Sequence, residues 1–384
     1  MTAATKIGGK NGNRRVFHIL DENEPFSQYR GGAISRWVGN VARGDESSTV
    51  VCRSSDGSWR LPQKQLRVAP GYDRFSRIVD RVSLPVEARA FAGSRVLRTA
   101  IPDLSKDDVV WIHNRPEFCF ALDSFVHSRG AQLVLHLHNS ILEWKRDKML
   151  RSLRLDRNVF VSRYLRDVTL QKFDTLGASS VIYNGSDNTL FYPAIHRQTP
   201  QNRPLSVIFA SRLVPEKGAH ILLGAVARLN ECGIRLTVNI VGSERFGKTT
   251  TSDYIRSIRA GAPENVNFLG YRANSEVAEL LRQADVFCLP SVWDDPFPLA
   301  PLEAMASGVP VIAARSGGIP EAFEWGGALL VEKNSIPQLT EAVKTLATNP
   351  DARRKLSQEG LKSFREHFTW LDVVRQFRSV AESL

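Results

Sequence analysis

The stretch WDDPFPLAPLEAMASG, residues 293–308, sets two adjacent aspartates and a glutamate around a proline-rich turn. Pro301 is tolerated in a first helical turn, where N–H groups have no intrahelical partner. Glu303 then falls inside that helix and Asp295 in the loop before it. Two carboxylates at different heights can accept from hydroxyls, while the free N–H groups around Leu299 and Ala300 meet an anion. That chemistry suits a polyhydroxylated ligand joined to phosphate. It suits a divalent metal poorly, because Asp294 and Asp295 are neighbours and point apart in extended chain.

Three further loops carry polar groups at comparable places. In ASRLVPEKG, residues 210–218, Arg212 leaves a strand and Lys217 opens the next helix, so a planar fork and a point charge can converge on a diphosphate. In DENEPFSQYRGGAISRW, residues 21–37, Gly31 and Gly32 precede a helical pattern and allow backbone N–H groups to approach an anion. The segments IHNRPEF and HLHN place His113, Asn114 and Arg115 beside His136 and His138 at strand ends. No third metal ligand lies near the HLHN pair in the sequence, so His138 reads as a hydrogen-bonding wall residue, and no metal is expected.

The elements that must hold these loops alternate between strand and helix. RRVFHIL, STVVCR, DVVWIH, AQLVLHLH and NVFVS read as short buried strands of a first half, separated by helical patterns such as AISRWVGNVARG. The second half repeats the order from LSVIFAS to GALLVE. Such alternation predicts an α/β chain with two doubly wound parallel sheets, in which ligands bind beyond the carboxyl ends of the strands. The polar, proline-containing segment 191–205 reads as the linker, giving domains over 1–197 and 198–369. A last helix, about 370–384, is able to pack back on the first.

The basic excess lies in one half. Residues 1–197 hold 30 Lys and Arg against 20 Asp and Glu, whereas residues 198–384 hold 21 against 20. An anionic partner for the first half follows, such as a membrane surface or a lipid-linked acceptor. In KRDKMLRSLRLDR, residues 145–157, Met149, Leu150 and Leu153 can share one face of a helix flanked by Lys148, Arg151 and Arg154, which suits an interfacial helix or simply a surface one. No basic and aromatic interleaving of a nucleic-acid module is present, and no nucleic acid is expected as partner. The four cysteines stand far apart, which predicts free thiols rather than zinc or disulfides. Without a run of about 18 apolar residues or a secretory core, the chain is expected in the cytoplasm, peripheral to the inner face of the membrane.

Taken together, SRLVPEKG, NVNFLGYR, ADVFCLPSVWDDPFPLAPLEAMASGVPVIAARSGGIPE and ALLVEKN resemble the second domain of the retaining glycosyltransferases of family 4. RGGAI, LHLHN, VFVSRYL and VIYNGSD resemble their first domain. The resemblance implies the GT-B architecture, two Rossmann-like domains facing a central cleft, the first taking the acceptor and the second the nucleotide sugar. It implies that Glu303 takes the ribose hydroxyls and that Asp295 lies near the donor sugar. Arg212 and Lys217 would hold the diphosphate, Gly31 and Gly32 would close over phosphate and acceptor, and His138 would stand beside the transferred sugar. Gly242, Tyr271 and Arg272 would house the base, with Phe297, Leu299 and Ala300 along the donor wall, continued by Gly317, Gly318 and Glu321. The activity implied is metal-independent hexosyl transfer without a cofactor, from a nucleotide diphosphate sugar, UDP-sugar favoured, to a cell-surface polysaccharide, lipopolysaccharide or lipid-linked acceptor. Two positions depart from the pattern: Asp295 replaces a glutamate, one methylene shorter, and Pro298 replaces a frequent glycine and deletes an N–H. A GT-B epimerase or hydrolase and a degenerate sugar-nucleotide binder are the alternatives.

Overall fold

A computed structural model describes residues 14–21, 24–28, 32–69, 86–143, 147–194, 203–244 and 252–384. Gly31 lies outside them, as do Lys145, Arg146 and most of the expected linker. Thirteen strands form two sheets among the described residues, and all are parallel.

The first sheet contains β1 (Val16–Ile19), β2 (Ser48–Cys52), β3 (Leu66–Val68), β4 (Val109–His113), β5 (Gln132–Leu137), β6 (Arg157–Phe160) and β7 (Ser179–Val181), in the order β3-β2-β1-β4-β5-β6-β7. The second contains β8 (Leu205–Ala210), β9 (Leu236–Val241), β10 (Val266–Gly270), β11 (Val286–Leu289), β12 (Val311–Ala314) and β13 (Ala328–Val331), in the order β10-β9-β8-β11-β12-β13. The direction of winding reverses between β1 and β4 and again between β8 and β11. At such a reversal neighbouring loops diverge and leave a crevice.

The strands follow the expected segments, with two additions. β3 and β7 are three-residue edge strands, and neither Leu66–Val68 nor Ser179–Val181 contains an apolar run by which sequence could mark it. Helices α1 (Ala33–Gly44), α2 (Val86–Ala100), α3 (Pro116–His127), α4 (Asp147–Arg151) and α5 (Arg163–Lys172) accompany the first sheet. In α1, Trp37, Val38 and Val41 are buried, one apolar stripe at helical spacing. The expected interfacial helix over 145–157 is corrected by α4, which ends at Arg151. Leu150 and Leu153 bury in the core instead of presenting an outer face, while Arg151 pairs with Asp174 and Arg154 with Asp123.

The second sheet carries α6 (Ala219–Glu231), α7 (Asp253–Ala260), α8 (Asn274–Gln283) and α9 (Leu299–Ala306), followed by α10 (Ile336–Thr348) and α11 (Pro350–His367). The chain then returns. Thr369 caps α12 (Trp370–Glu382) in a reciprocal box with Asp372, and α12 packs on α1 in the first domain. Val373, Val374, Phe377 and Ala381 join the core on that face of the first sheet, and Arg378 Nε donates to Asp45 at 3.0 Å.

The domains meet through buried polar contacts. Glu321, behind β12, accepts from the backbone N–H groups of Arg163 (2.8 Å) and Tyr164 (2.7 Å) at the start of α5, and from the Tyr183 hydroxyl (3.0 Å). Burial and that carboxylate push the Tyr183 phenol up to about 12, so it remains a donor. Asn184 Nδ2 donates to the Phe297 carbonyl at 2.8 Å. No helix of the described residues is long and apolar enough to cross a membrane.

The docking of α12 is testable. Phe377 is fully buried against Trp37 and Trp111, at ring separations of 6.0 and 5.0 Å. Phe377→Ala is expected to remove about 3–5 kcal/mol of stability. Urea unfolding followed by tryptophan emission measures it, and an unchanged midpoint would mean that α12 rests on the first domain without stabilising it.

Candidate functional site

The loops after β8 and β11 are locked together at the second switch point. Gly218 has φ of 76°, and a Cβ there would stand 1.9 Å from the Pro290 carbonyl oxygen, so only glycine allows the approach. Val292 N–H and the Ser291 hydroxyl both donate to the Glu216 carbonyl, at 2.9 and 3.0 Å. Lys217, in the short 3-10 turn Pro215–Lys217, is thereby buried against the Trp293–Asp295 segment. Its ammonium pairs with the Asp295 carboxylate, itself buried, and lies 5.9 Å from the centre of the Trp293 ring. Asp294 turns away, accepting from Lys333 Nζ at 2.7 Å and from the Gly317 N–H at 3.1 Å. The two aspartates thus serve different cations. Arg212 is exposed and makes no hydrogen bond or ion pair among the described residues.

Helix α9 begins at Leu299 after Pro298, which supplies no side-chain cap. Leu299 and Ala300 are half-buried there. Glu303 is buried one turn further on, and its Oε1 accepts from Arg36 Nη1 of α1 at 2.8 Å, across the domain boundary. Oε2 has no partner among the described residues. The Phe297 ring is buried and stacks on Tyr183 at 4.9 Å, next to Phe368. Gly317 and Gly318 are pressed against the backbone of Asp295 and Pro296, where a Cβ would come within 2.3 and 2.0 Å of carbonyl oxygens. Glu321, expected in the cleft wall, is spent on the start of α5.

The loop after β10 carries Tyr271, 38% exposed, and Arg272, which pairs loosely with Glu276 at 3.6 Å. Gly242 after β9 has φ of 141° and packs on the Ser211 carbonyl. These residues edge the same end of the second sheet as Arg212.

On the first domain, the N–H groups of Gly32 and Ser35 at the start of α1 both donate to Glu24 Oε1, at 2.9 and 3.2 Å. The anion expected at this helix end is met by the chain's own carboxylate. Burial raises the Glu24 carboxyl above its usual range, and those N–H groups oppose the rise. His138 is buried just beyond β5, and its backbone N–H donates to Asn114 Oδ1 at 2.6 Å. A third histidine does stand near it, contrary to expectation: ring nitrogens of His113, His136 and His138 lie within 4.8 Å of one another. Hydrogen bonds occupy this cluster. His113 uses both nitrogens, on His18 at 3.2 Å and His138 at 3.0 Å, and Trp111 Nε1 donates to His136 Nδ1 at 3.3 Å. His136 Nε2 and His138 Nδ1 have no partner among the described residues, so of the three rings only His113 would have to give up a hydrogen bond to ligate an ion. Burial lowers the His138 imidazole to about 3, which leaves it neutral.

Sequence reasoning missed Glu24, Arg36 and His18. Arg36 had no sequence signal, since its partner lies 267 positions away.

The second domain matches the family model described as Glycosyl transferases group 1 over residues 192–363. A putative glycosyltransferase of Bacillus subtilis, YtcC, is 23% identical over 96% of this chain and 92% of its own length. A GDP-mannose-dependent monoacylated alpha-(1-6)-phosphatidylinositol monomannoside mannosyltransferase of Corynebacterium glutamicum is 25% identical over 79% of this chain and 82% of its own. The crystal structure of Anabaena Alr3699/HepE in complex with UDP and glucose superposes with a TM-score of 0.71 at 20% identity, over 97% of this chain and 100% of that one. That likeness establishes the GT-B arrangement of two facing parallel α/β domains. Through residues 192–363, this chain is similar to the group 1 glycosyl transferases.

Proposed function

We propose that the protein is a retaining, metal-independent hexosyltransferase. It moves a hexosyl unit from a nucleotide diphosphate sugar, with UDP-sugar favoured, to a cell-surface polysaccharide, lipopolysaccharide or lipid-linked acceptor. The observation that carries this reading is the uncapped first turn of α9, flanked by the Lys217–Asp295 pair on one side and by Glu303 on the other. Helix N–H groups and an ammonium favour the charge that grows on a departing diphosphate. Glu303 Oε2 is placed to accept from a ribose hydroxyl while Oε1 keeps Arg36. Tyr271 is the exposed aromatic surface for a base. The UDP complex of the Anabaena protein supports the choice of nucleotide, and the lipid named for the corynebacterial enzyme supports a lipid-linked acceptor.

The acceptor attacks on the face from which the diphosphate leaves, and the leaving group takes its proton. Arg212, exposed in this form, closes on the phosphates once the donor is bound. His138, neutral through burial, is no general acid near pH 7 and interacts with the sugar by hydrogen bonding alone. Apposition of the two domains excludes water, the competing acceptor. The basic first domain supports a cytoplasmic enzyme peripheral on the inner face of the membrane.

Thermal unfolding with UDP, GDP, ADP and their glucose, galactose, mannose and N-acetylglucosamine conjugates is the direct check. A donor at 100 times its dissociation constant adds about 2.7 kcal/mol, so one nucleotide series should raise Tm, and Arg212→Ala and Glu303→Ala should abolish the rise. No shift with any of them would reject the donor site.

The two carboxylates are expected to separate in kinetics. Glu303→Ala should weaken free nucleotide about tenfold, the loss of a charge-assisted hydrogen bond of about 1.5 kcal/mol. Asp295→Ala should lower kcat more than nucleotide affinity. Equal effects of both on free nucleotide, measured by titration calorimetry, would contradict these roles.

A further inference from the structure

Three buried histidines of the first domain form one hydrogen-bonded file that crosses the sheet from its far edge to the cleft. At the far edge Asp45 is buried, with Arg378 Nε donating to its Oδ1 at 3.0 Å. The hydroxyls of Ser47 and Ser48 both donate to its Oδ2, at 2.6 and 2.7 Å. Ser48 Oγ lies 3.2 Å from His18 Nε2, His18 Nδ1 lies 3.2 Å from His113 Nε2, and His113 Nδ1 lies 3.0 Å from His138 Nε2. His18 and His113 are fully buried, and His138 is 6% exposed. Burial holds all three imidazoles well below their ordinary range, so each is neutral, with one N–H and one lone pair.

Neutral imidazoles in series share one polarity. An ionised carboxylate only accepts, so Asp45 takes the Ser48 proton and leaves Ser48 Oγ as an acceptor. His18 therefore carries its proton on Nε2 and offers a bare Nδ1. His113 must donate from Nε2 into that lone pair, and His138 must donate from Nε2 into the bare Nδ1 of His113. The polarity set at Asp45 thus ends at His138 Nδ1 as a lone pair, and this buried nitrogen has no partner among the described residues.

We propose that Asp45 and Ser48 are positioning residues for sugar recognition: acting through His18 and His113, they hold His138 as the Nε2–H tautomer, so that its Nδ1 accepts a hydroxyl of the transferred sugar. The sugar contact rests on the function proposed above, whereas the tautomer file does not. Neither Asp45 nor Ser48 stands at the cleft edge of the sheet, since Ser48 opens β2 and His138 follows the end of β5. The site therefore distinguishes hydroxyl from a group that cannot donate by a constraint set at the opposite edge of the sheet.

Long-range proton–nitrogen correlation spectra of the nitrogen-labelled full chain read each tautomer, with the His138 signals assigned by their loss in His138→Gln. Wild type and Ser48→Thr, which keeps the hydroxyl, should show His138 as Nε2–H. In Asp45→Asn the carboxamide can donate to Ser48, which releases the Ser48 proton toward His18 and turns the file around, so His138 should appear as Nδ1–H. Ser48→Ala, which removes the link without touching Asp45, should leave His138 as a mixture. With the nucleotide sugar that gives the largest thermal shift in the series above, Asp45→Asn should bind about tenfold more weakly than wild type, one hydrogen bond lost. Its affinity for the matching nucleoside diphosphate should not change. An unaltered His138 tautomer in both Asp45→Asn and Ser48→Ala overturns the file. A reversed tautomer with unaltered nucleotide-sugar affinity overturns the sugar contact. If wild type binds no nucleotide sugar, the functional reading and the sugar contact fail together, while the spectra still decide the file.

Discussion

A carboxylate buried where two domains meet has to be satisfied by donors from both, and Glu321 is where this chain solves that problem. It belongs to the second domain by sequence, yet two backbone N–H groups of α5 and the Tyr183 hydroxyl of the first domain donate to it. The orphan N–H groups of a helix start favour negative charge, so the contact satisfies the helix and the carboxylate at once. Gly318 lets Ser162, the cap of α5, come close, since a Cβ there would lie 2.9 Å from the Ser162 side chain. With α5 held against the turn behind β12, the carboxyl ends of both sheets face a common space. The stacking of Phe297 on Tyr183 and the return of the chain through α12 extend the same junction.

Inside that space the charges occur as cross-linked pairs. Lys217 with Asp295 joins two loops of one sheet, and Arg36 with Glu303 joins two domains. A buried charge without a partner is costly, so a cleft that gathers cations and carboxylates is stabilised by letting them meet one another. Glu24 at the start of α1 follows the same logic, an internal anion on helix N–H groups. Arg212, exposed, makes no such pair among the described residues.

The legible part of this arrangement was the part encoded locally. Runs such as VFHI and VVWIH announce buried strands, AISRWVGNVARG announces α1 residue for residue, and the strand-end positions of Arg212, His138 and Asp295 follow from them. The motif resemblance pointed to the family whose model matches residues 192–363. The short edge strands β3 and β7 escaped because three residues on an edge need no apolar pattern. The basic stretch after β5 was misjudged because its apolar spacing fits a helix as well as it fits a turn whose leucines plug the core.

The amino-acid sequence by itself determined the alternation of strand and helix, the two parallel sheets and the loops that bear polar groups, because hydrophobic period and turn chemistry act within a few residues. Tertiary structure alone decided which of those groups are taken. That Phe297 stacks on Tyr183, that Glu321 joins the two domains, that Glu303 shares its carboxylate with Arg36, and that His138 ends a file begun at Asp45 all depend on partners tens to hundreds of positions away. Hydrogen bonds and ion pairs are satisfied by whichever donor the fold brings within about 3 Å, and separation along the chain carries no record of that choice.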